Sequence, residues 1–135
     1  MSAIQAMLES HPEQSLDADV DKLVACIDAC QSAAQACTTC ADACLSEPMV
    51  AELTRCIRTD LSCSQVCQAT ANVLSRSSEG DARIMTALLT ACAEACAVCA
   101  EECERHADVH EHCRLCAEAC RRCEQLCRDL VGTPS

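Results

Sequence analysis

The chain has 135 residues, a formal net charge of −11, 17 cysteines, two glycines, three prolines and no Phe, Tyr or Trp. That length suits one domain, and the charge disfavours nucleic acid and anionic membrane surfaces as partners. The abundance of Ala, Leu, Glu and Gln favours helices and offers little for strands.

The start, "MSAIQAMLESHPEQS", has no basic n-region and no apolar h-region, so it does not read as a secretory signal. No other segment reads as long and apolar enough to span a membrane. A cytoplasmic location with reduced thiols is therefore expected. The odd cysteine count also prevents complete internal pairing.

Ile4, Met7 and Leu8 predict a short amphipathic helix ending before His11 and Pro12. Residues 1–16 are read as this helix and a polar linker, and residues 17–131 as a separate cysteine-lined bundle. The first long helix is expected from about Asp17, where acidic residues suit the positive end of the helix dipole, to about Cys44. "LSEPM" then breaks the chain, with Ser46 the expected N-cap and Pro48 in the first turn of a second helix reaching about Leu74. "SRSSEGD" reads as a turn around Gly80. A third helix runs from about Ala82 to the region of His106. After "ADVHEH", a fourth covers roughly Cys113 to Val131. Four long helices joined by short loops predict an all-α, antiparallel up-down-up-down four-helix bundle with a short N-terminal helix.

Each long helix carries one stripe of thiols. At 100° per residue, Cys26, Cys30, Cys37, Cys40 and Cys44 fall within an arc of roughly 80°. Cys56, Cys63 and Cys67 do the same on the second helix. So do Cys92, Cys96, Cys99 and Cys103 on the third, and Cys113, Cys116, Cys120, Cys123 and Cys127 on the fourth. Steps of three and four mark core positions, so the bundle should be lined with sulfur. A core of Cys and Ala packs less apolar volume than one of Leu and Ile, which argues against purely structural cysteines. Cysteines one turn apart on a helix are poorly placed for disulfides. Metal binding remains. Zinc sites come as groups of four, often held by CxxC turns, and the C-x2-C-x2-C run of iron–sulfur proteins is absent. A continuous sulfur-lined tube with shared thiolates suits multiple Cu(I) ions, each replacing one thiol proton.

One end of the tube holds Cys44, Cys56, Cys103 and Cys113. At the other, the stripes continue as Leu23, Leu74, Met85, Leu88, Leu89, Leu130 and Val131, an expected apolar plug. The tube should open at a single mouth. His106 and His110 extend the third helix's row there, Met49 precedes Cys56 by two turns, and Asp60 occupies a stripe position between Cys56 and Cys63. These four are candidate ligands, with imidazole and carboxylate at a solvent-facing mouth capturing copper from a carrier such as a chaperone. His112 lies off the stripe and ranks lower; His11 reads as surface.

The repeated Cys-x3-Cys and Cys-x2-Cys pairs across residues 17–131 resemble the bacterial cysteine-rich four-helix-bundle copper storage proteins. The resemblance implies storage of many Cu(I) ions per bundle and a homotetramer. The histidine-bearing mouth and absent signal are similar to the cytosolic branch of that family. The three-cysteine row of the second helix, with Asp60, departs from its pattern. The expected function is nonenzymatic storage and sequestration of Cu(I). The alternatives are a general thiolate buffer for Zn(II) or Cd(II), and a CxxC thiol redox protein using Cys37/Cys40 or Cys120/Cys123. A redox protein needs one accessible, low-pKa thiol, and none stands out. A di-iron bundle needs Glu-x-x-His, and no histidine here has Glu three residues before it.

Overall fold

The computed structural model describes residues 3–13 and 19–132. Helix α1 spans Ile4–Glu9, and four long helices follow: α2 (Val20–Leu45), α3 (Thr54–Leu74), α4 (Ala82–Glu104) and α5 (Glu111–Val131). Among the described residues there is no strand. Each long helix packs against two others: α2 and α4 both touch α3 and α5. With connections this short, consecutive helices run antiparallel, which gives the expected four-helix bundle.

The helix starts follow local chemistry. Asp19 caps α2, its carboxylate accepting from the Lys22 amide at 3.1 Å. The expected start at Asp17 lies outside the described residues. Asp81 caps α4 in the same way, accepting from the Arg83 amide at 2.8 Å just after Gly80. The connection between α2 and α3 departs from expectation. Ser46 is the C-cap of α2 and not the N-cap of α3. A 3-10 turn, Val50–Leu53, intervenes, and α3 begins only at Thr54. The turn is fixed by burial of Leu53 in the core. Pro48 therefore lies in the loop and not in a first turn of α3.

All 17 cysteines are buried and unpaired by disulfide bonds. They share one core with Ile27, Leu53, Leu74, Leu89 and alanines such as Ala33, Ala71 and Ala100. Small alanines let the helices approach closely enough for opposing sulfurs to meet. Leu74 and Leu89 are buried in the core, with Leu23, Met85 and Leu130 partly buried against it. Leu88 is half-buried, whereas Val131 ends α5 with its side chain exposed and adds little to the plug. Ile4 and Leu8 of α1 also pack against the core, and α1 touches α2.

Outside, α2 and α3 are stitched by Ser64, whose hydroxyl donates to the Ala34 carbonyl at 2.9 Å. Arg121 pairs with Glu104 at 2.8 Å and Arg128 with Glu94 at 3.4 Å, both across α4 and α5. Such exposed pairs are each worth about 0–1 kcal/mol. The expectation that no segment is long and apolar enough to span a membrane does not hold. Ala82–Glu104 is long and apolar enough, by length and composition, to cross a membrane, with a mean hydropathy of 1.6. Its apolar count includes Cys92, Cys96, Cys99 and Cys103, and all four side chains are buried inside the bundle.

Candidate metal centre

The four stripes meet as a stack of sulfur layers. Near the plug end, Cys26 lies 3.7 Å from Cys127, and Cys30 lies 3.6 Å from Cys123. Further along, Cys67 and Cys96 approach to 3.5 Å, with Cys63 at 3.7 Å from Cys96. Midway, Cys37 lies 3.5 Å from Cys120 and 3.7 Å from both Cys99 and Cys116. Near the mouth, Cys56 lies 3.7 Å from Cys103, and Cys40 lies 4.0 Å from Cys44 and from Cys113. These are spacings of thiols in contact. They are also the spacings at which two sulfurs share one ion: with metal–sulfur bonds of about 2.3 Å, tetrahedral and trigonal angles put sulfurs roughly 3.8–4.0 Å apart.

The groups overlap. Cys30, Cys92, Cys123 and Cys127 form one cluster of potential ligands, and Cys67, Cys92, Cys96 and Cys123 form another. Cys92 and Cys123 belong to both. Likewise Cys37 and Cys99 belong to a set with Cys63 and Cys120 and to a set with Asp60 and Cys116. Closed zinc sites use four ligands apiece and do not need such sharing. Soft monovalent copper accepts bridging thiolates.

Asp60 lies deeper than a solvent-facing mouth would place it. Its side chain is fully buried. The Cys99, Cys103 and Cys116 thiols donate to its Oδ1 at 3.1, 3.5 and 3.4 Å, and Cys56 approaches Oδ2 at 4.0 Å. Burial, reinforced by the neighbouring Cys99 sulfur, pushes its carboxyl up to about 9. It is therefore a neutral acid at pH 7, inside the tube. Burial likewise pushes the Cys44 thiol up to about 12. Hydrogen bonds from Cys127 and Cys30 act the other way on Cys26 and bring its thiol down to about 5.

His106, His110 and His112 cluster at the end where Cys44, Cys56, Cys103 and Cys113 lie, but not as one row. His106 Nε2 is 3.0 Å from Glu102, a buried carboxylate that also meets Arg55 at 3.3 Å and Arg105 at 3.4 Å. His110, the residue that precedes α5, is buried, with Nδ1 3.1 Å from Glu47. His112 has the shortest path to sulfur. Its Nδ1 lies 3.5 Å from Cys40 Sγ and 3.6 Å from Cys113 Sγ, while Nε2 lies 2.9 Å from Glu47. The His110 and His112 rings stack with centroids 5.3 Å apart. Helical spacing from Cys103 points to His106 and His110 and passes over His112. The available signal was its position in the first turn of α5, beside Cys113, where an end-on ring can reach sulfur. Met49 immediately precedes the 3-10 turn and is exposed, so it does not share a helical face with Cys56.

Residues 19–132 match the model of the Csp family, described as copper storage protein. The chain belongs to the copper storage protein family. The copper storage protein of Streptomyces lividans, solved with 10 copper equivalents loaded, is 55% identical; the match covers 95% of this chain and 97% of that one, with a TM-score of 0.92. A structure of that organism's cytosolic copper storage protein with five coppers is 58% identical over 85% of this chain and 96% of that one, with a TM-score of 0.83. The Cu(I)-bound copper storage protein BsCsp3 is 33% identical over 82% of this chain and 99% of that one, with a TM-score of 0.74. Among curated proteins, the cysteine-rich protein YhjQ of Bacillus subtilis is 35% identical over 107 residues, which are 79% of this chain and 94% of that protein.

Proposed function

We propose that residues 17–131 of this copper storage protein hold several Cu(I) ions on the 17 thiols of the bundle, without catalysis, and that residues 1–16 take no part in binding. The overlapping thiol groups carry this reading, because sulfurs common to two clusters are what a chain of bridged Cu(I) ions needs. Asp60 joins the ligands beside Cys37, Cys99 and Cys116. His112 joins Cys40 and Cys113 as the first strong nitrogen-and-sulfur ligand set behind the mouth. His106 and His110 serve as transient ligands at the rim, and Met49 at most as a passing contact. The likeness to the cytosolic Streptomyces lividans protein supports a cytoplasmic store; supply by a copper carrier and assembly as a homotetramer complete the proposal.

Anaerobic titration of reduced protein against a competing Cu(I) chelator tests the storage reading. Saturation is expected at on the order of one ion per thiol, the loading that leaves the buried core near neutral. Saturation at a few ions, or tighter retention of Zn(II) than of Cu(I), would sink the reading and favour a general thiolate buffer.

The mouth has its own test. His112→Ala, and to a smaller degree His106→Ala/His110→Ala, should slow stopped-flow Cu(I) uptake by roughly tenfold, equivalent to about 1.4 kcal/mol of lost barrier stabilisation. Final capacity should stay nearly unchanged, since the thiols behind them are intact. Cys30→Ala or Cys123→Ala should lower capacity with little effect on early uptake. Equal uptake rates for wild type and the histidine variants would return the imidazoles to a purely structural role.

A further inference from the structure

Among the described residues, Glu47 is the one carboxylate that touches two of the mouth imidazoles. It sits in the α2–α3 loop, immediately after Ser46, the C-cap of α2, and off every thiol stripe. Its Oε2 lies 2.9 Å from His112 Nε2 and 3.1 Å from His110 Nδ1. It therefore ties the α2–α3 connection to the start of α5. Glu102, the partner of His106, is differently employed: two arginines already balance its charge. The His112 contact draws the Glu47 carboxyl below its ordinary range, as expected for an anion accepting a hydrogen bond from imidazole.

The chemistry of the His112 contact fixes the ring. A carboxylate only accepts, so His112 Nε2 carries the proton and donates it to Glu47. In the neutral ring Nδ1 is then the bare nitrogen. That atom faces Cys40 and Cys113 at 3.5 and 3.6 Å, with its lone pair placed to accept from a thiol. Carboxylates that accept from the far nitrogen of a metal-binding histidine set its tautomer and orientation and raise its basicity. Without Glu47, the ring would be free to turn about its side-chain torsions and present Nδ1 elsewhere.

We propose that Glu47 is a positioning residue for copper uptake, holding His112 with Nδ1 aimed at Cys40 and Cys113. This rests on the reading of His112 as a ligand, and the two claims fail separately. The first measurement needs no metal. In the reduced apoprotein, Glu47→Ala should release the His112 ring, seen as loss of nuclear Overhauser contacts between the ring and the Cys40 and Cys113 side chains. It should also shift the ring nitrogens from a pure Nε2–H pattern toward an exchange-averaged one. Glu47→Gln keeps the shape and an acceptor oxygen, so it should retain much of the placement. The second measurement is stopped-flow Cu(I) loading. Glu47→Ala should slow the first phase by about tenfold or more, the usual effect of removing such a partner, with final capacity unchanged. Glu47→Gln should recover part of the rate. Glu47→Ala combined with His112→Ala, both made in a His110→Ala background, should be no slower than His112→Ala in that background, because Glu47 then has only the His112 ring to act through.

An unmoved ring in the Glu47→Ala apoprotein would overturn the proposal. So would a full, multiplicative additional slowing in the combined variant. A wild-type rate for His112→Ala would instead remove the ligand role, and the ring measurement would still decide whether Glu47 positions the histidine. The loop site of Glu47 is only partly buried, so both variants should fold; an unchanged far-UV circular dichroism spectrum checks this.

Discussion

Reduced, metal-free protein should give a helical far-UV circular dichroism spectrum, and Cu(I) should then raise its unfolding midpoint by tens of degrees. The first half follows from the sequence chemistry and the plug. Strong helix formers, the Asp19 and Asp81 N-caps and a core containing Ile27, Leu53, Leu74 and Leu89 hold the bundle without metal. Zinc fingers, by contrast, are unfolded without their ion. The second half follows from linkage. An ion at about a thousand times its dissociation constant stabilises the native state by about 4 kcal/mol per independent site. Two such sites give about 8 kcal/mol. For a domain of this size each kcal/mol moves the midpoint by roughly 3–5 °C. The core is well suited to show the effect, because sulfur and alanine bury modest apolar area and leave the apoprotein only moderately stable. Thermal scans at increasing Cu(I) under anaerobic conditions measure it. A random-coil apoprotein would overturn the first claim, and a midpoint indifferent to copper would overturn the second.

Much of this architecture was readable from the chain, for reasons that differ by element. Gly80 and Asp81 mark the start of α4 because a breaker and a cap occur together, and Cys103 ends its thiol row one residue before the helix stops. The stripes were legible because three- and four-residue steps can place 17 thiols on four faces in only one way. The α2–α3 connection was not. Ser46 and Pro48 look like an N-cap and a first turn, but the burial of Leu53 decides where α3 begins, and burial is a tertiary fact. The same limit hid His112. On an ideal helix it is 100° away from Cys113. At the first turn of α5 the ring extends past the helix end and meets Cys40 of α2, an approach no single-helix spacing encodes. Asp60 was placed on the right face, but its depth depends on how far α3 has descended before reaching it. The late start at Thr54 leaves it among Cys99, Cys103 and Cys116, sealed from solvent.

That sealed carboxyl makes the apoprotein less stable as pH rises, and Asp60→Asn should abolish the contribution. The native Asp60 carboxyl is pushed up to about 9, first by burial. In the unfolded chain the same group titrates near 3.9. Between these limits the native state keeps a proton that the unfolded state has released. Stability falls with pH wherever the unfolded state binds fewer protons, so the loss runs from about pH 4 to about pH 9. Each pH unit inside that window costs about 1.4 kcal/mol, or about 4 kcal/mol between pH 5 and pH 8. Asparagine keeps the Oδ1 acceptor that the Cys99, Cys103 and Cys116 thiols share, with nothing to ionise. Cysteine titration in the unfolded chain is common to both proteins and cancels in their difference. Denaturant unfolding of the two reduced apoproteins should therefore show the Asn variant gaining on wild type by about 4 kcal/mol from pH 5 to pH 8. A difference that stays constant over that range would mean that Asp60 is ionised in the native tube. Copper loading reverses the logic of the site. A bound ion favours the carboxylate, so wild type should release one more proton than Asp60→Asn on filling the ligand set of Cys37, Asp60, Cys99 and Cys116, a count that calorimetry in buffers of different ionisation enthalpy reads directly.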